Sequence, residues 1–232
     1  MKRYFYLLLF SLVLPLFYGC EGTDGTTYMK LGFKITESGK SLVKGLENAT
    51  FYFDSAYIVI EKAELKKLKS GSADDEENEY NFKGPYKIDL INGTSDPVLP
   101  LTEIDAGVYT KFEAEMSFIE NVGYSLYISG QYNLQNGKHY KMEYSNTRSE
   151  DFKCVNEEGF RIETDMVNMV WVYLDLNRLM NGVDLSNAQV DRDDVIRLNN
   201  ESNIDLADIV ERNLEAASEL GFDNNADGRI DK

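Results

Sequence analysis

The stretch Gly107–Phe118, GVYTKFEAEMSF, alternates with period two. Val108, Thr110, Phe112, Ala114, Met116 and Phe118 fall on one side, and Tyr109, Lys111, Glu113, Glu115 and Ser117 on the other. Successive strand side chains point to opposite faces, so this pattern predicts a β-strand with one face toward a core and the other toward water. The next run, YSLYISGQYNL (124–134), sets Leu126, Ile128, Tyr132 and Leu134 against Ser125, Ser129, Gln131 and Asn133. QNGK (135–138) then supplies Asn-Gly, the strongest short hairpin signal. It leads into HYKMEYS (139–145), where Tyr140, Met142 and Tyr144 alternate with His139, Lys141 and Glu143.

Outward from this centre, strands are predicted at TYMKLGFKIT (27–36), ATFYFDSAYIVIEKAEL (49–65) and YKIDLI (86–91). Between the last two lies KSGSADDEENEYNFKG (69–84), a polar loop whose run Asp74, Asp75, Glu76, Glu77 reads as a solvated hairpin tip. MVNMVWVYLDL (166–176) is apolar at both parities, the mark of a central strand covered on both faces, so the single tryptophan, Trp171, reads as core. Residues 176–203 turn polar, with a helical turn near Leu176 to Met180. NIDLADIVERNLEAASELG (203–221) then carries Leu206, Ile209, Val210, Leu214, Ala217 and Leu220 on one helical stripe. Asn203 is its expected N-cap, Asp205 sits in the first turn, and Gly221 is its expected stop. The expected fold is mainly β: an antiparallel β-sandwich of about seven to nine strands over residues 28–200, with a C-terminal amphipathic helix and acidic tail over 201–232.

The N-terminus, MKRYFYLLLFSLVLPLFYGC, places Lys2 and Arg3 before a fifteen-residue apolar run, Tyr4 to Tyr18. That is short for a span of about 20 residues and has the length of a signal-peptide core. With Gly19 before Cys20 it resembles a bacterial lipoprotein signal over residues 1–19, cut so that Cys20 carries lipid; an ordinary secretory signal is the alternative. Residues 20–27 would then be a short lipidated tether. Glu21 after the cysteine resembles an outer-membrane destination, with the protein facing the periplasm or the cell surface. The only other cysteine, Cys154, shares a strand face with Phe152 and reads as an inert buried thiol.

The formal net charge of −16 becomes −18 when Lys2 and Arg3 leave with the signal. Such acidity argues against a nucleic-acid partner, whose binding rests on neutralising phosphates, and against a polybasic grip on lipid. One histidine, His139, forbids a multi-histidine zinc site, and no nucleophile elbow or phosphate loop is present. Nothing singles out a carboxylate pair, so the reading is non-catalytic.

The chain closes on GFDNNADGRIDK (221–232). Asp223, Asn225 and Asp227 occupy positions 1, 3 and 5 of a calcium loop, and Gly228 the sharp turn. Arg229 would offer its carbonyl at position 7, Ile230 matches the apolar position 8, and Asp231 stands at 9. The segment thus resembles an EF-hand or dockerin-type half-loop without the glutamate of position 12; replacement oxygens are expected from Asp191, Asp193 or Asp194, or from the C-terminal carboxylate. The bland reading is a polar tail. A second resemblance rests on YKIDLINGTSDPVLPLTEIDAGVYTKFEAEM (86–116), whose Ala106, Gly107 and Tyr109 follow a leucine-rich strand. With MKLGFKIT and AYIVIEKAEL upstream, residues 28–120 resemble β-sandwich lipoproteins of unknown function from the cell envelope. The resemblance implies fold and address only. The expected function is a lipid-anchored binding or structural module, its partner a glycan, a metal or an envelope protein. A strand-edge adhesin or pilus-like subunit and a periplasmic small-molecule binder are the alternatives.

Overall fold

The computed structural model describes residues 26–36, 49–68, 76–134 and 137–231. Residues 1–19, expected as a signal, Cys20, most of the expected tether, Asp74, Asp75, Asn136 and Lys232 lie outside the described residues. Twelve strands are present among the described residues, in two sheets that form a β-sandwich. They are β1 (Tyr28–Ile35), β2 (Ala49–Leu68), β3 (Glu76–Asp89), β4 (Thr94–Asp96), β5 (Leu101–Glu103), β6 (Gly107–Met116), β7 (Leu126–Leu134), β8 (His139–Asn146), β9 (Glu150–Ile162), β10 (Val167–Leu174), β11 (Val195–Leu198) and β12 (Ser218–Gly221). Two helices, α1 (Leu176–Leu179) and α2 (Ile204–Asn213), lie near the end.

The small sheet runs β12-β10-β1-β5 and the large one β11-β8-β7-β2-β3-β4, with β6 and β9 branching from β2. The twenty residues of β2 explain the branch: its first half pairs with β7 and its second with β6, while β3 follows it along the other side. The sandwich is not wholly antiparallel, because β1 runs parallel to β10 and β11 parallel to β8. Gly137, with φ of 82°, turns β7 into β8 as the Asn-Gly signal predicts. The polar loop expected over 69–84 is shorter than its composition suggests, since Glu76 to Gly84 belong to β3, laddered against β2.

The core lies between the sheets. Met29, Leu31, Phe33 and Ile35 of β1 face Phe112, Ala114 and Met116 of β6, and the rings of Phe33 and Phe112 meet edge-on at 5.5 Å. The alternation expected in β6 holds from Phe112 to Met116 and breaks earlier. Tyr109 and Phe112 are both fully buried although three residues apart, because Thr110 is an extra residue on the β2 ladder and is skipped on the β9 ladder too. An extra residue flips every side chain before it, which turns Tyr109 inward and leaves Val108 half-buried. The Tyr109 hydroxyl donates to the Asp105 carbonyl at 2.8 Å and Tyr80 accepts from the Asp105 amide at 2.7 Å. That latch holds the corner entering β6, as in the tyrosine corner of other sandwiches. Phe118, past the end of β6, is exposed rather than core.

The amphipathic helix is present but shorter than its stripe. It ends at Asn213, and residues 218–221 instead form β12, which completes the edge of β10. Val210, Leu214, Ala217 and Leu220 are buried in either arrangement, so periodicity alone does not separate them; the unpaired backbone of β10 decides for a strand. Asn203 precedes α2 without a side-chain cap, its amide instead joining the Gln189 backbone and the Arg197 carbonyl.

Candidate functional site

The C-terminal loop is built outward from β12. Phe222 packs edge-on against Phe160 at 5.4 Å, anchoring the chain just before Asp223. Asp223 then organises the turn: one carboxylate oxygen accepts the Asp227 amide at 3.1 Å, and the other accepts the Gly228 amide at 3.1 Å and the Tyr173 hydroxyl at 2.6 Å. Asn225 accepts the Asp227 amide at 2.9 Å, Asp227 accepts the Arg229 amide at 3.0 Å, and Asp231 accepts the Asn224 amide at 2.7 Å. Gly228, at φ of 78°, makes the sharp turn at the position that the calcium-loop pattern reserves for glycine. The segment expected as a polar tail or a half-loop is therefore an ordered turn. It is entered from a strand and not, as the EF-hand pattern requires, from a helix. Among the described residues no three His, Cys, Asp or Glu groups converge closely enough to hold a metal ion as they stand. Asp191 and Asp193, named as replacement oxygens, are engaged by Arg197 at 2.5 and 2.7 Å. Asp194 sits at φ of 60° in the turn before β11.

Sequence reasoning missed the surface next to this loop. On the outer face of the small sheet Tyr28, Lys30, Gly32 and Lys34 of β1 stand beside Val167, Met169, Trp171 and Tyr173 of β10, with Leu101 and Glu103 of β5 on one flank. Trp171, expected in the core, is half-buried here: it lies over Gly32 and stacks on Tyr173 at 5.7 Å. A β-carbon at position 32 would stand 2.5 and 2.6 Å from the indole Cζ3 and Cε3 and 2.7 Å from Met169 Cε. The benzo ring therefore rests on bare backbone. Glycine inside a strand pattern signals such close approach, and Gly32 between two lysines at i±2 was the readable trace. The C-terminal loop closes the far end of this face, where Ile230 packs on Gly221 and Asp223 holds Tyr173.

The buried thiol and the single histidine lie apart. Cys154 is buried on β9 beside Phe152, and burial, with the Glu219 charge adding, pushes its thiol up to about 12. His139 is exposed at the start of β8, its Nδ1 2.5 Å from Asn133, on a strand that does not neighbour β9. A carboxyl pair the sequence did not single out joins α2 to β9. Burial first, then the Glu150 hydrogen bond and charge, raises Glu211 to about 7 against the pull of Arg148 at 3.4 Å. The cleft at Glu211, bordered by Tyr144, Asn146 and Asn199, has a free volume of about 10 Å³, room for one water and not for a substrate. Compared with known proteins, the chain matches no family model, no curated protein and no solved structure.

Proposed function

We infer that the protein is a non-catalytic β-sandwich module of the cell envelope, held on the outer membrane by lipid on Cys20 and stabilised by calcium in the Asp223–Asp231 loop. The observation that carries the calcium part is the turn itself: Asp223, Asn225 and Asp227 fold around Gly228 in the order of a calcium loop, tied down at Tyr173. Each side chain uses part of its acceptor capacity on a backbone amide and keeps lone pairs for a cation. Small adjustments, with the Arg229 carbonyl and Asp231, would complete an oxygen shell. The likeness to envelope sandwich lipoproteins agrees with the two-sheet fold, and the N-terminal segment supplies the address.

The strand-edge alternative has less support. β4, β5, β11 and β12 are edge strands of only three or four residues, and β9 carries a bulge at Asn156–Gly159, all features that blunt edge pairing. A small-molecule binder would need a deep pocket, and nothing beyond the small Glu211 cleft argues for that reading among the described residues.

Thermal unfolding of the lipidated protein in EDTA and in calcium up to about 10 mM tests the metal, since extracellular calcium modules bind at about 10⁻⁴ to 10⁻³ M. At about a hundredfold excess over the dissociation constant, stabilisation reaches about 2.7 kcal/mol. The rise in Tm is expected to vanish in Asp223→Asn/Asp227→Asn. A flat titration removes calcium from the reading, and an unmodified Cys20 in the mass spectrum of the membrane fraction removes the anchor.

A further inference from the structure

We propose that the outer face of the small sheet is a membrane-docking surface, seated on the bilayer interface of the membrane that carries the Cys20 lipid; it rests on the lipid anchor of the proposed function. Three observations meet on this face. The first is where the chain enters. β1 starts at Tyr28, so seven residues separate it from Cys20, a reach of no more than about 29 Å fully extended. A lipid on Cys20 therefore keeps this edge of the domain close to the headgroups whatever the tether does.

The second is composition. Val167 and Leu101 are each 53 % exposed and Met166 is 51 % exposed, three of the large apolar side chains that the described residues leave open to water. They surround the entry point: Val167 pairs with Tyr28, Met166 accepts the Tyr28 amide at 3.1 Å, and Leu101 pairs with Lys30. Trp171 continues the face inward with its ring flat on Gly32. An indole and a phenol above aliphatic side chains suit the interface of a bilayer, where one end of the ring is apolar and the other wet.

The third is charge. Lys30 and Lys34 bracket Gly32 on the same face, and neither has an ion-pair or hydrogen-bond partner among the described residues. Long lysine stems can lie along the apolar patch while their ammonium groups reach lipid phosphates. Glu103 on one flank and the acidic C-terminal loop at the other end share this face, so its attraction for lipid phosphates rests on the two lysines and is limited by those carboxylates. A saccharide is the rival occupant of an open tryptophan, but sugar sites ring the aromatic with several fixed polar groups. Here the groups shown against the indole are Gly32, Met169 and Tyr173.

Trp171 is the only tryptophan, so its fluorescence reports on this face directly. The full-length protein, its lipid checked by mass, is placed in vesicles of phosphatidylethanolamine and phosphatidylglycerol with acyl chains brominated near the headgroup. Trp171 emission is expected to fall relative to unbrominated vesicles, since a ring at the interface lies at the depth of the bromines. Leu101→Asp/Val167→Asp should restore the emission while the protein still floats with the vesicles. Wild-type protein that floats but keeps Trp171 unquenched by bromine and open to acrylamide overturns the docking and leaves the anchor standing. Protein without lipid on Cys20 that fails to float overturns both. A saturable change of Trp171 emission with cellohexaose or chitohexaose, without bromine quenching, reassigns the platform to a sugar and also overturns the proposal.

Discussion

The two outer faces of the sandwich solve the problem of surface in opposite ways. On the large sheet the side chains satisfy one another. Tyr57 stacks on Tyr127 at 5.1 Å, Tyr127 on Tyr124 at 5.8 Å, Tyr124 leans on Phe118 at 6.0 Å, and the Lys87 amine caps the Tyr57 ring at 4.0 Å. Its charges are paired as well: Lys66, Lys111 and Lys153 surround Glu113, and Lys141 and Arg197 flank Glu143. On the small sheet Trp171 is half-buried over Gly32, Val167 and Leu101 stay exposed, and Lys30 and Lys34 have no ion-pair partner among the described residues. A surface that has used its own chemistry has little left for a ligand. The open face is where a partner gains most, although the large face carries more aromatic rings.

The largest expected effect lies between the faces. Phe112→Ala removes the ring that meets both Phe33 and Phe152 and should cost about 3–5 kcal/mol in denaturant unfolding. A single transition followed by both Trp171 fluorescence and far-UV dichroism is expected, and separate transitions would show the two sheets to be independent units. Gly32→Val comes next. Its side chain would occupy the place of the indole, destabilising by about 1–3 kcal/mol and shifting Trp171 emission to the red. An unchanged spectrum would mean that the ring does not rest there.

The paired face should show itself in acid. Burial alone would raise Glu113, but hydrogen bonds from Lys66 and Lys111 outweigh it and hold the carboxylate near 2. A depressed carboxylate stabilises the fold above its ordinary value, about 4.3, and that contribution is lost as pH falls from there toward 2. Lys111→Met should therefore weaken the acid limb of a pH–stability curve by about 1 kcal/mol, after allowing for solvent screening, and leave acid stability below pH 2 unchanged. The smallest effect belongs to the open face. Lys30→Gln/Lys34→Gln should change stability by no more than about 0.5 kcal/mol, and a larger loss would reveal partners that make this face as self-contained as the other.

Much of the sandwich was legible because burial on one side of a strand leaves a period of two. Leu126, Ile128, Tyr132, Met142 and Tyr144 face inward as their alternation demands, and Cys154 is buried beside Phe152. The order of acceptors in the C-terminal loop was also legible, since Asx turns and a left-handed glycine are local chemistry read over a few residues. Other features depend on contacts distant in sequence. The bulge at Thr110 reverses Tyr109 because β2 and β9 must pair with β6 together. Ser218–Gly221 leaves a helical stripe to satisfy the edge of β10, some forty-five residues earlier. Trp171 sits on a surface rather than in the core because Gly32, on a strand at the other end of the chain, is where its ring can lie. Periodicity and turn chemistry are written in neighbouring residues, whereas register, edge pairing and the place of a ring on a sheet are settled only when remote backbones meet and their hydrogen-bonding groups must find partners.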